Sequence, residues 1–282
     1  MLNVAEFKGF WLNLASATSR AEEMGLQFRQ LGLENLYERV EGGAPAPGVA
    51  SGRNLKPGEW GAWLGWLRLL EHAYQSRCDL IHLLEDDTEI TPGFLDLLNW
   101  YGLSPLLHRD VLIATDGFVS PDQTLIILEK LAEPSPPRQP WLVVESGLPI
   151  PCLNSLLLTP SLAGELLQRL RQRLARPGAL PPIDHAIAQV AGQWLTLVPF
   201  TTGPRLDHAM EGAIRTADDQ TQMLSRYVLT LLRRCLMEPP TGQRSLLAEW
   251  DQLVRQLPSQ HQSKLLAGLV KLLVTQGVVH PY

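Results

Sequence analysis

The chain has 282 residues, 45% of them hydrophobic and 19% charged, with a net charge of −5. That balance suits a soluble globular protein with a sizeable core, and it excludes whole-molecule attraction to nucleic acid phosphates. Three scattered cysteines, Cys78, Cys152 and Cys235, form neither a disulfide framework nor a zinc pattern. A start without a basic segment and apolar core predicts no signal peptide, and no apolar run reaches the length of a bilayer. The expectation is a cytoplasmic protein, with the inner face of the membrane as a second location.

"GFWLNL" opens the chain as an apolar, aromatic strand. "SRAEEMGLQFRQLGL" follows with helical spacing of Met24, Leu26, Phe28 and Leu31, and Ser19 stands where an N-cap would, three residues before Glu22. "LYERVEG" alternates as a strand, so the chain begins β-α-β, the entry to an α/β domain. Residues 42–58, dense in Gly, Pro and Ala, are a long loop of the kind that often carries function. "EWGAWLGWLRLLEHAYQ" (59–75) is a largely buried helix that brings Trp60, Trp63, Leu64, Leu67 and Leu70 to one side.

The strand "LIHLL" then runs into Glu85, Asp86 and Asp87, and a helix starts near Thr91-Pro92. Strands are expected at "DVLIATD", "QTLIILEKL", "WLVVES", "NSLLLT" and "WLTLVPF". Helices are expected at "PSLAGELLQRLRQRLA" and "IDHAIAQVAG". After Gly212 the texture changes. Residues 1–214 hold 16 Lys+Arg and 24 Asp+Glu, whereas residues 215–282 hold 8 and 5. Three helical patterns fill that tail (218–236, 244–257, 261–276), which predicts a domain at 1–214 and a helical appendage at 215–282.

The acidic triplet has two readings. It is either a solvated turn, or a cation site at the carboxyl end of a strand, where open α/β sheets hold their ligands. The pleat would turn Glu85 and Asp87 to the same side, and paired carboxylates suit a hard divalent cation that neutralises phosphates. Motifs for other chemistries (a phosphate-binding Gly-Lys loop, a Gly-x-Ser-x-Gly elbow, a zinc-binding helix, a dinucleotide glycine loop) are missing.

The surroundings of the triplet resemble glycosyltransferase family 25, the lipooligosaccharide galactosyltransferases that also include collagen hydroxylysine galactosyltransferases. The likeness is carried by "WLNLASATSRAEEM", "RVEG", "LKPGEWGAWLGWLRLLEHA" and "LIHLLEDDTEITPGF". It continues more weakly through "LLLTPSLAGELL" and "PPIDHAIAQ", and covers about residues 8–215. Two departures stand out. Gly65-Trp66 occupies the place of the family's Ser-His, and "CLNSLLL" that of its Gly-Thr-x-Ala-Tyr.

The resemblance implies a GT-A fold, Rossmann-like, with a mostly parallel sheet between helices. It also implies transfer of a hexose, galactose or glucose, from a UDP-sugar to a hydroxyl of a glycan, lipid-linked glycan or peptide. The cofactor would be a divalent cation, manganese foremost and magnesium second, on Glu85, Asp87 and His208. Asn13, Arg20, Glu85, Asp86 and Arg205 would meet the donor, although Asn13 also suits a backbone tie and Arg20 a pair with Glu23. Asp184 is the candidate base, with helix capping as its other role. Trp66 is a sugar-stacking platform or core, and His185 lines the acceptor side or packs. Arg53 and Lys56 would close over the donor from the long loop. The tail's basic residues form a solvated face or touch an anionic membrane, and the tail is also a candidate for self-association. The alternative function is an inactive relative that binds a nucleotide sugar or a partner.

Overall fold

A computed structural model describes residues 6–43, 53–109, 111–115, 140–146, 154–192 and 194–205. The first half comprises β1 (Phe7–Leu14), α1 (Thr18–Gln30), β2 (Tyr37–Gly42), α2 (Pro57–Gln75), β3 (Leu80–Glu85) and β4 (Thr88–Ile90). Next come α3 (Gly93–Asn99), α4 (Leu103–Leu107), β5 (Leu112–Ala114), β6 (Leu142–Ser146) and β7 (Ser155–Leu158). The last are α5 (Pro160–Ala175), α6 (Ile183–Ala191), β8 (Trp194–Val198) and β9 (Thr202–Pro204). The strand expected at "QTLIILEKL", the boundary near residue 214 and the helical tail lie outside the described residues.

Seven strands form one sheet in the order β2-β1-β3-β7-β5-β8-β6. β1 pairs in parallel with both β2 and β3, and β5 with β8; β7 and β6 run against their neighbours. Five of the seven strands therefore point one way. The alternation of the pleat divides the sheet's side chains between two apolar layers. Phe10, Ile81, Leu83 and Leu156 pack with α2, α5 and α6 on one face. Phe7, Trp11, Leu80, Leu84 and Leu157 pack with α1, α3 and α4 on the other. The result is a mixed α/β protein with a mostly parallel, Rossmann-like sheet between two layers of helices.

α1 and α2 thus follow β1 and β2 onto opposite faces, and β1 lies between the strand that each leads to. The carboxyl ends of β1 and β3 therefore lie at the point where the winding reverses, the usual ligand crevice of such sheets. Leu12 of β1 is in register with Glu85 of β3, so the acidic triplet emerges at that crevice.

Local starts differ from expectation in two places. α1 begins at Thr18 with Ala17 at the cap and no side-chain capping bond, so Ser19 lies inside the helix. The turn after β1 closes with the Ala17 N–H donating to Leu14 O, and Ala17 O already accepts the Ala21 N–H, so the helix starts ahead of Ser19. Leu26 is also exposed, because only Met24 and Phe28 of that helix turn fully inward. α2 begins at Pro57, where the missing amide costs nothing, and Glu59 reaches back to accept the Lys56 N–H at 2.7 Å.

A buried polar chain crosses the sheet. Tyr37 Oη meets His82 Nδ1 at 2.6 Å, and His82 Nε2 meets Ser155 Oγ at 2.7 Å. Ser155 Oγ meets Thr115 Oγ1 at 2.8 Å, which meets Thr202 Oγ1 at 3.0 Å. Each hydroxyl can donate once and accept twice, so one consistent proton order satisfies the chain. It ties the main sheet to the two-stranded β4–β9 ribbon.

Candidate active site

The pleat of β3 decides where each acid goes. Ile81 and Leu83 face α2, so Glu85 does too, and its Oε1 accepts the indole N–H of Trp66 at 2.8 Å. The strand ends there. Asp86 and Asp87 belong to the turn between β3 and β4, which corrects the expectation of a strand carrying Glu85 and Asp87 side by side. Asp86 instead faces the α1 side.

The turn is held at every corner. The carbonyl of Asn154 accepts the Glu85 N–H at 3.1 Å and the Thr88 hydroxyl at 2.9 Å, clasping its two ends. Asn13 donates to Asp86 Oδ2 at 2.6 Å, and Arg20 donates to Asp86 Oδ1 at 3.0 Å. The Arg205 N–H donates to Asp87 O at 2.6 Å. Gln27 of α1 donates to Thr88 O and accepts the Ile90 N–H, so α1 carries the ribbon beside the turn.

These bonds sort the expected residues. Asn13 is 1% exposed and binds both Ala17 O and Asp86. Both oxygens of Asp86 are engaged by Asn13 and Arg20, so it acts as the clasp between β1, α1 and the turn. Arg20 pairs with Asp86 at 3.0 Å, and Glu23 pairs with Arg205 at 3.1 Å. Arg205 therefore stands beside the acidic turn, joined to it through its backbone. Trp66 is fully buried, which removes it as a sugar platform and gives it the Glu85 hydrogen bond in exchange. His208 lies outside the described residues.

Asp184 is the second residue of α6, behind Pro182 at the cap position, so it does not cap the helix as an N-cap residue would. Its Oδ1 accepts the His185 N–H at 2.8 Å. The His185 ring is half exposed, 4.0 Å from Asp184 Oδ2. Arg53 is drawn away from a donor-closing role. Its guanidinium donates to Leu174 O and Arg176 O, the unpaired carbonyls at the end of α5, and its own carbonyl accepts the Leu180 N–H. Lys56 is exposed at the start of α2.

Glu85 is the electrostatic focus. Burial, and then the negative charges of Asp87, Asp86 and Asp184, push its pKa from 4.5 up to about 8, against the lowering effect of the Trp66 hydrogen bond. Asp184 thus acts on Glu85 from another element, the start of α6. Among the described residues no three or more His, Cys, Asp and Glu side chains are gathered as a ready cage for a metal ion. The donor set at Glu85 is oxygen only, which fits a hard cation that completes its coordination with phosphate oxygens and water and needs only one or two carboxylates. Trp66 and Asn154 were missed as partners of the acids. For Trp66 the signal was present, as an indole on the helix that packs against β3.

Compared with protein-family models and with curated proteins, the chain matches none. Among the described residues, no helix is long and apolar enough to cross a membrane.

Proposed function

We propose that the protein is a GT-A type glycosyltransferase, a divergent relative of family 25, that moves a hexose from a UDP-sugar to an acceptor hydroxyl. One observation carries the reading. Glu85 stands at the carboxyl end of β3, at the winding reversal, with Asp86, Asp87 and Asp184 as its charged neighbours. A buried carboxyl surrounded by like charge is costly without a cation.

Glu85 and Asp87 would hold manganese or magnesium, which supplies neutralisation of the donor's leaving diphosphate. Asp86 keeps its two protein partners and shapes the turn. Arg20 and Arg205 bring positive charge to the side where a diphosphate would lie. Asp184 is suited to take the proton of the acceptor hydroxyl, since it approaches the acid cluster from a separate helix. The alternative of an inactive relative drew on Gly65-Trp66 replacing Ser-His. Here Trp66 bonds to Glu85 and Gly65 admits close packing, so both replacements have a structural role that is compatible with a working site.

The test is a donor-hydrolysis panel of UDP-, GDP- and CMP-sugars with and without manganese, alongside calorimetry of UDP. The expected result is manganese-dependent hydrolysis of a UDP-hexose and a UDP affinity that falls about tenfold or more on chelation. Equal UDP affinity in both conditions, or no binding at all, would overturn the assignment.

A further inference from the structure

We propose that Trp63 and Trp66 of α2 are a pair of positioning residues, which together hold the Glu85 and Asp184 segments at their working separation. The inference deepens the transferase reading and rests on it for the roles of the two carboxylates.

The two tryptophans are three positions apart, so they neighbour each other on one side of the helix. Both are fully buried. Phe or Leu would fill an apolar helix face as well as an indole does. What the indole adds is a single N–H donor that needs an acceptor once buried. Both donors are used on segments that carry a carboxylate. Trp66 Nε1 donates to Glu85 Oε1 at 2.8 Å, and Trp63 Nε1 donates to Pro181 O at 2.8 Å, three residues before Asp184.

The Asp184 segment needs such an anchor for a chemical reason. Pro181 and Pro182 have no N–H, so at these two positions the backbone can be hydrogen-bonded only through its carbonyls. Leu180, just before them, donates to Arg53 O at 3.0 Å. Beyond that bond, Trp63 is the next hold on the chain before Asp184. The two indoles share one rigid helix, so the position of one carboxylate segment is referred to the other through α2. Gly65 lies between them. A Cβ there would stand 2.6 Å from a Leu12 methyl, so the glycine lets α2 settle onto β1.

The experiment is hydrogen exchange on the full chain, read segment by segment, with Trp63→Phe and Trp66→Phe. Trp63→Phe should speed exchange at residues 183–187 by roughly fivefold or more and leave 85–88 unchanged. Trp66→Phe should do the reverse. Trp63→His and Trp66→His, which keep a ring N–H, should each recover part of the protection. Manganese-dependent UDP affinity should fall about tenfold in Trp66→Phe and hold in Trp63→Phe, whose loss should appear in turnover. Loss of protection spread evenly over the chain would make both tryptophans core residues only and overturn the proposal. So would unaltered exchange in the two segments. If a phenylalanine variant does not fold, Glu85→Gln in the otherwise native chain gives the second measurement. One indole N–H resonance must move, and a spectrum in which none moves overturns the proposal. A native chain that binds neither manganese nor UDP overturns the transferase reading instead, and the exchange data still judge this one.

Discussion

Gly65 lies against Leu12 so closely that a Cβ at position 65 would stand 2.6 Å from one Leu12 methyl and 2.8 Å from the other. A serine, the residue that the family resemblance leads one to expect there, would require the Leu12 side chain to shift. The departure at Gly65 and the departure at Trp66 are therefore one adjustment. The helix moves in against β1, and a larger donor at the next position reaches the acid at the end of β3.

This sets two effects against each other in Gly65→Ala. Replacing a mid-helix glycine gains up to about 1 kcal/mol of helix propensity. Overpacking against a well-filled neighbour costs about 1–3 kcal/mol. The Leu12 branch carbon would stand 3.2 Å away in addition to the two methyls, so the whole side chain has to shift to make room. A net loss of about 1–2 kcal/mol is expected in urea denaturation. Adding Leu12→Ala should give a coupling of about 0.5 kcal/mol or more in the favourable direction. A Gly65→Ala protein more stable than the native chain would show that the two elements separate freely.

The second prediction concerns acid. His82 is fully buried, and burial lowers its pKa from 6.5 to about 3. The neutral ring bridges Tyr37 and Ser155, so the folded state does not accept a proton that the unfolded chain binds readily. Below pH 6.5 the unfolded state holds more protons, and stability falls as pH falls until the folded group itself titrates near 3. The slope attributable to His82 approaches about 1.4 kcal/mol per pH unit in that window. His82→Gln removes the titrating group and should flatten the stability profile between pH 6 and pH 4, whatever its effect at pH 8. Parallel profiles for the two proteins would mean that other groups govern acid unfolding.

Glu85 has the opposite sign. With any cation chelated, its folded-state pKa is raised, so the folded protein holds a proton that the unfolded chain has already lost. Its contribution is fully present below pH 4.5 and declines as pH rises through about 8. Glu85→Gln removes both the charge and the decline. Under chelation the variant should gain on the native chain as pH rises from 5 to 8.5, by on the order of 1 kcal/mol or more. Manganese should then stabilise the native chain at pH 8 and leave the variant unmoved. A constant difference between the two at all pH values would place Glu85 in an ordinary solvated setting.

Much of this architecture was legible in the sequence, and the parts that were not have a common cause. β1, β2 and β3 are short apolar or alternating runs whose period announces a strand, and α2 and α5 have long helical periods. The acids at the end of β3 were visible as a break in an apolar run. The partners of those acids were not. Asn154, whose carbonyl clasps the turn, belongs to a distant stretch, and its contribution comes from backbone, which every residue has. The side of the sheet on which Trp66 meets Glu85 depends on β1, β3 and α2 being stacked in register, information that no single segment contains. Ser19 failed as a cap for a local reason: the turn after β1 closes two residues earlier than the capping pattern suggests.

The last prediction is Asp184→Asn. An acceptor hydroxyl is a poor nucleophile until its proton is shared, and a positioned base typically supplies about 10²–10⁴-fold. In the proposed reaction that base must face the donor from an element other than the one that holds the cation. Asp184 meets the requirement: it lies on α6, its charge acts on Glu85 of β3, and its segment is fastened to α2 through Pro181 O. Its carboxylate also accepts the neighbouring His185 N–H, a bond that the asparagine oxygen can keep. The substitution should therefore change thermal stability little. Losing one negative charge beside Glu85 should, if anything, ease the burial of that acid. Transfer to the true acceptor should fall by about 10²-fold or more, while UDP affinity in manganese stays within about threefold. A folded Asp184→Asn protein with near-native transfer would leave Asp184 as a helix-start residue alone. In that case His185, half exposed at 4.0 Å from it, becomes the next residue to substitute.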